Sequence, residues 1–169
     1  KAAPKIVQET IEVSDSDKYD QLISQIRARE GSIIIFVRTK WGAEKLAKRL
    51  RSAKCDADAI HGDLRQNKRD QVIRNFRERK YRILVATDIA ARGLDIPHIE
   101  HVINYDIPQV PEDYVHRIGR TARADAEGAA VNLVGPEDRL KWKAIQHMLN
   151  PSEHPKPGSE RSKGPSRNK

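Results

Sequence analysis

Cysteine is nearly missing from this 169-residue chain: Cys55 stands alone. One cysteine builds neither a disulfide framework nor a zinc site, which suits a reducing, cytoplasmic setting. It reads as a small side chain near a helix–strand turn. No apolar run approaches the roughly 18 residues of a membrane span, and the first residues carry no signal-peptide pattern. A membrane is therefore not an expected partner. The pattern G-x-x-x-x-G-K-[ST] occurs nowhere, so the chain has no phosphate loop to cradle a nucleotide by itself. No strand end carries an acidic group clearly suited to Mg²⁺, and no metal site is expected. Internal repeats are absent.

Positive charge is plentiful. Lys and Arg number 32 against 24 Asp and Glu, a formal net charge of +8, and the pI is about 9.7. That surplus favours a polyanionic partner, most commonly nucleic acid, although solubility alone would also account for it. The length allows one domain with a real core. Hydrophobic residues make up 37% and charged residues 33%, so the apolar side chains must be concentrated in a few buried elements.

Strand-like runs alternate with amphipathic stretches. ETIEV (9–13) reads as a short strand, and 16–29 as a helix with Tyr19, Leu22, Ile23 and Ile26 on one stripe. SIIIFV (32–37) is a continuous β-branched run of the kind buried on both faces of a parallel sheet. A helix over 41–53 follows, with Ala43, Leu46, Ala47 and Leu50 inward. DADAI (56–60) is a weaker strand, and 66–79 a helix facing inward through Val72, Ile73 and Phe76. RILVAT (82–87) and HVINY (101–105) are strands. PEDYVHRI (111–118) opens on a proline suited to a first helical position. GAAVNLV (128–134) is the last strand, and 136–149 a final helix with Leu140, Ala144, Ile145 and Met148 on one face. The alternation predicts an α/β fold, a mostly parallel sheet with helices on both faces. Residues 151–169 hold four prolines and no large apolar side chain, and are expected to form a flexible basic tail.

In such sheets ligands gather beyond the carboxyl ends of the strands. Those ends are rich in hydroxyls, carboxylates, glycines and arginines rather than plain turn residues. In TDIAARGLDIP (87–97), Thr87 can meet a phosphate oxygen and Gly93 permits close backbone approach. Asp95 can accept hydrogen bonds, for example from a ribose hydroxyl. An ordinary loop with Asp88 as a helix cap is the competing reading. In HGDLRQNKRD (61–70), Gln66 and Arg69 share a face at a helix start, where free amides favour phosphate; for Asp63 a plain helix cap is the competing reading. Arg117, Arg120 and Arg123, spaced by three, are predicted to lie on one face of a helix or helical turn. Arginine is forked toward phosphate oxygens, and an arginine finger can be worth about 10³–10⁵ in phosphoryl-transfer rate. The alternative is a solvated basic helix end, or arginines paired to local acids such as Asp113. With residues to sense a nucleotide and none to cradle it, the chain reads as half of an active site.

Five segments, IIFVRTK (34–40), HGDLRQNKRDQVIRNFR (61–77), VATDIAARGLDIP (85–97), VINYDIP (102–108) and HRIGRTAR (116–123), together resemble the C-terminal RecA-like domain of a DEAD-box ATP-dependent RNA helicase. The likeness covers about residues 5–150, and HRIGR favours DEAD-box over DEAH proteins, whose equivalent usually begins with Gln. It implies a linker over 1–7 from a preceding helicase domain, this domain over 8–150, and the tail beyond. It implies that Arg120 and Arg123 are arginine fingers for the ATP γ-phosphate, that Asp95 holds the ribose, and that Gly93 shapes the same loop. His116 and Arg117 would contact the partner domain and couple ATP to RNA. Thr39, Gly62, Asp63, Gln66, Arg69, Thr87 and Arg92 would touch, or support contact with, the RNA backbone. ATP with Mg²⁺ would be held mainly by the companion RecA-like domain, and the fragment alone would be inactive. A monomer is expected, with dimerisation left open. Two positions depart from the family pattern: Ala122 stands where glycine is more common, and Arg65 replaces a small hydroxyl before Gln66. A stand-alone RNA- or protein-binding module, and a DNA-directed relative, are the other readings.

Overall fold

Ile33, Ile34, Ile35 and Phe36 are all buried, and the domain is laid on the strand they form. The structure is a computed structural model describing residues 6–92, 99–121 and 128–151. In chain order the elements are β1 (Ile6–Glu12), α1 (Lys18–Arg27), β2 (Ile33–Phe36), α2 (Lys40–Ser52), β3 (Ala57–Ile60), α3 (Gln66–Arg77), β4 (Ile83–Ala86), α4 (Asp88–Ala91), β5 (His101–Asn104), α5 (Pro111–Ile118), β6 (Gly128–Val134), a 3₁₀ turn (Pro136–Asp138) and α6 (Arg139–Leu149). Six strands pair in the order β1-β6-β5-β2-β4-β3, and every pairing is parallel.

Alternation along β2 sends its side chains to two cores. Ile34 and Phe36 face α3, α4, α5 and α6, where Val72, Phe76, Ala90, Tyr114 and Ile145 meet them. Ile33, Ile35 and Val37 face α1 and α2, against Leu22, Ile26, Leu46 and Leu50. Each such side chain contributes about 1.5–3 kcal/mol on burial. The β-branched run predicted to be buried on both faces is therefore the centre of a parallel α/β sheet.

From β2 the chain runs to the edge strand β3, returns to β4 beside β2, then crosses to β5 on the other side. The order reverses at β2. A crevice beyond the carboxyl ends of β4, β2 and β5 is the consequence, and open α/β sheets bind ligands there.

Several expectations shift. β1 begins at Ile6, within the predicted linker, because Ile6 and Val7 pair with Gly128 and Ala129 of β6. The final helix is split by the 3₁₀ turn, and its inner face is Trp142, Ile145 and Leu149, with Leu140 and Ala144 exposed. The Trp142 ring decides that face, since it stands edge-on to Tyr114 at 5.5 Å between centroids. Cys55 is a buried free thiol between α2 and β3.

Candidate functional site

Thr87 leaves β4 and caps α4, its Oγ1 accepting the Ala90 N–H at 3.4 Å. Asp88, considered as that cap, is instead the first helical residue, and its carboxylate receives Arg117. Arg117 donates from Nε and Nη2 to the two Asp88 oxygens at 2.7 and 2.8 Å. Its Nη1 donates to Asn104 Oδ1 at 3.0 Å and to the Asp106 carbonyl at 2.6 Å. The guanidinium also lies over the Phe36 ring. Arg117 is only 2% exposed. Its donors are engaged inside the domain, where it ties α4 to α5 and β5.

The neighbouring cations behave differently. Arg92 pairs with Asp113, the acid predicted as a local partner for the arginine triplet. Arg120 Nη2 donates to the Ala91 carbonyl at 2.6 Å. His116 is exposed on α5. These three line one shallow depression with Asp88, Ala91 and Asp113. α5 ends at Ile118, so Arg117 is helical and Arg120 lies in the turn beyond, both lining this depression. Arg123, Ala122, Gly93 and Asp95 lie outside the described residues.

The other predicted contacts come from β2 and β3. Thr39 caps α2, its Oγ1 accepting the Gly42 N–H at 2.9 Å. Asp63 does not cap α3; that position is Arg65, without a side-chain cap. Asp63 pairs with Lys40 at 2.7 Å, and that hydrogen-bonded ammonium holds the Asp63 carboxyl below its usual value. Gly62 is exposed, and a Cβ there would meet nothing within 4 Å, which leaves its backbone open to close approach. Gln66 donates to Asp70 at 2.8 Å, one turn along α3. Arg69 Nε is buried without a hydrogen-bond partner.

Sequence reading passed over His61, Asp106 and the asparagine pair. The Asp63 N–H donates to His61 Nδ1 at 3.2 Å, which leaves Nε2–H to donate to Glu44 at 2.7 Å. Asp106 receives Lys18 at 2.7 Å and the Arg38 N–H at 2.8 Å. Asn104 and Asn132 are register partners on β5 and β6, and both are fully buried. The available signal was a lone amide inside each of two apolar runs, since a buried polar group needs a partner. Among the described residues, no group of three or more His, Cys, Asp or Glu could hold a metal, and no helix is long and apolar enough to cross a membrane.

A crevice at a parallel-sheet switch point, lined by arginines, is thus in hand. Residues 17–125 match the model of the helicase conserved C-terminal domain. The chain belongs to this family. It is 49% identical over 151 residues to a Listeria monocytogenes protein named ATP-dependent RNA helicase CshA, covering 86% of this chain and 29% of that protein. A Geobacillus kaustophilus protein named DEAD-box ATP-dependent RNA helicase CshA is 50% identical over 137 residues, 80% of this chain and 29% of its own. The helicase domain therefore spans under a third of these relatives. Among solved structures, Escherichia coli DEAD-box protein SrmB bound to regulator of ribonuclease activity A superposes with a TM-score of 0.80 at 36% identity, covering 86% of this chain and 87% of that one. The C-terminal domain of the DEAD-box protein Dbp5 gives 0.78 at 36%, covering 88% and 87%. The chain is a DEAD-box C-terminal RecA-like domain.

Proposed function

We propose that this domain forms one wall of an ATP site shared with a phosphate-loop domain, and that it grips the RNA backbone along the same edge. The observation that carries the reading is the convergence of Arg92, His116 and Arg120 at the switch point of a chain with no phosphate loop. Their donors suit phosphate oxygens. Arg120 and Arg123 act as fingers on the γ-phosphate, while Gly93 and Asp95 meet the ribose side of the nucleotide. The magnesium accompanying ATP is assigned to the companion domain. Thr39, Gly62, Asp63, Gln66, Arg69, Thr87 and Arg92 serve the RNA backbone, with sequence-independent, salt-sensitive contacts. Discrimination against DNA then rests on 2′-hydroxyls.

In this mechanism ATP and RNA favour a closed arrangement of the two domains because both bind it better than the open one. Closure bends one strand and separates a short duplex; hydrolysis releases the clamp. His116, exposed on α5, is the residue free to touch the companion domain. Arg117 acts beneath it as a positioning residue. The whole protein is an RNA-stimulated ATPase acting in the cytoplasm, and this domain alone does not turn ATP over.

Purified domain should show no RNA-stimulated ATP turnover, and the same domain joined to its phosphate-loop partner should show it. Turnover by the isolated domain that Arg123→Ala abolishes would overturn the half-site reading. Absence of turnover in the joined protein, with RNA binding intact, favours the binding-module alternative. Equal stimulation by DNA favours a DNA-directed relative.

A further inference from the structure

Trp41 is the most exposed large apolar side chain of the described residues, at 79%. It stands in the first turn of α2, two residues after the Thr39 cap. Among the described residues it has no aromatic or cationic partner; the ring contacts formed involve Phe76, Tyr81, Tyr114, Trp142, Tyr19, Tyr105 and Phe36.

Its neighbours on the helix sort into two groups. Lys40 bonds Asp63, and Glu44 bonds His61, so these side chains fasten α2 to the turn after β3. Arg49 lies over Tyr19, and Arg51 donates to the Ala57 carbonyl. The remaining exposed side chains of α2 are Trp41, Lys45, Lys48 and the short Ser52 at its end. The first three follow at i, i+4 and i+7, one helical face. Neither lysine forms an ion pair among the described residues. One ring followed by two unpaired ammonium groups extends over about 10 Å of helix.

We propose that this face of α2 is a single-stranded RNA site, in which Trp41 stacks on one base and Lys45 and Lys48 hold the following phosphates. The inference rests on the RNA reading above and adds a base contact to it. A tryptophan left in water gains nothing for the fold. An unpaired base offers it a π-face, and the adjacent ammonium groups supply charge complementarity to the strand. Stacking on any base is sequence-tolerant, so the site adds affinity without selecting a sequence.

The chain has two tryptophans, so Trp142→Phe leaves Trp41 as the only indole emitter. In that variant a short oligouridylate should quench emission saturably, whereas a base-free ribose-phosphate oligomer should bind with little quenching. Trp41→Ala should weaken oligouridylate binding about tenfold, within the range measured for single stacked bases. Trp41→Tyr should retain most of the affinity. Lys45→Ala and Lys48→Ala should each lower the salt slope of binding by about one. RNA affinity unchanged in Trp41→Ala overturns the proposal and leaves the RNA reading standing. Quenching by the base-free oligomer equal to that by RNA also overturns it, since charge alone would then be at work. Failure of the unaltered chain to bind RNA at low salt overturns the RNA reading itself.

Discussion

Arg117 and Asp88 meet fork to fork, two N–H groups on two carboxylate oxygens at 2.7 and 2.8 Å. From this pair a line of hydrogen bonds runs across the sheet. Arg117 donates to Asn104, Asn104 to Asn132 at 2.7 Å, Asn132 to the Tyr114 hydroxyl at 3.0 Å, and that hydroxyl to Gln8 on β1. Burial pushes the Tyr114 phenol above its ordinary value, so it remains a donor. The crevice is thereby connected to the first strand of the domain, the strand that follows the chain's entry.

Arg117→Ala should cost about 3–5 kcal/mol, the usual loss when one partner of a buried pair is removed. At this chain length the melting temperature falls by about 10 °C or more. Arg117→Lys should not restore it, because an ammonium cannot replace the planar fork. Asp88→Ala should cost a comparable amount, since it leaves the Arg117 guanidinium buried with no counter-charge. Denaturation of Arg117→Ala, Asp88→Ala and the double variant checks the coupling: losses smaller than additive are expected, and strict additivity would refute it.

Asp106 predicts an acid limb in stability. Burial alone would raise its carboxyl, but Lys18 at 2.7 Å and the Arg38 N–H outweigh it and hold it below the ordinary 3.8. An acid depressed on folding contributes stability that is complete above its unfolded value and lost as pH falls through the folded one. Urea midpoints measured from pH 7 downward should therefore fall below about pH 4. Asp106→Asn should start lower at neutral pH and show a flatter acid limb. Parallel curves for the two proteins would show that Asp106 is not the source.

Thr39 serves two purposes that can be separated. Its oxygen accepts the Gly42 N–H, while its hydroxyl proton is left for a phosphate. Thr39→Ala should cost about 1 kcal/mol of stability as a lost cap and also weaken RNA binding. Thr39→Gly should cost only about a few tenths of a kcal/mol at such a position, so it should largely spare stability and still weaken binding. Thr39→Ser should preserve both. Weakened binding in Ala but not in Gly would mean that the cap alone matters.

Much of the sheet was legible because its strands are short apolar runs bounded by polar turns. SIIIFV, RILVAT and HVINY announce burial on both faces, and the helices α1, α2 and α3 bury the stripes their spacing indicates. The helix 136–149 misled because four apolar candidates were read on one phase, whereas the large Trp142 ring docked on Tyr114 and set another. The arginine positions were legible as chemistry, but not as geometry. Spacing by three looks like one face, yet α5 stops at Ile118, so Arg117 turns into the core and Arg120 out of it. Whether an arginine is buried depends on acids and amides distant in sequence, here Asp88 and Asn104, which local periodicity does not reveal.

Under the proposed function, that division of the arginines yields opposite signatures in the two-domain protein. Arg120 is oriented by its bond to the Ala91 carbonyl, the last residue of α4. Arg120→Ala and Arg123→Ala, in the protein that includes the phosphate-loop domain, should each lower ATP turnover by about 10³-fold or more, the range for a lost finger. ATP affinity should change little, because in the proposed half-site the companion domain dominates binding. Folding stability should also be near that of the parent, unlike Arg117→Ala. Steady-state turnover, nucleotide binding and melting measured on the same three variants separate the roles. A finger lost should remove rate alone, whereas Arg117 lost should lower the melting temperature first and turnover with it. Equal loss of ATP affinity and of rate in Arg120→Ala would count against a finger role and make that residue a ground-state binder.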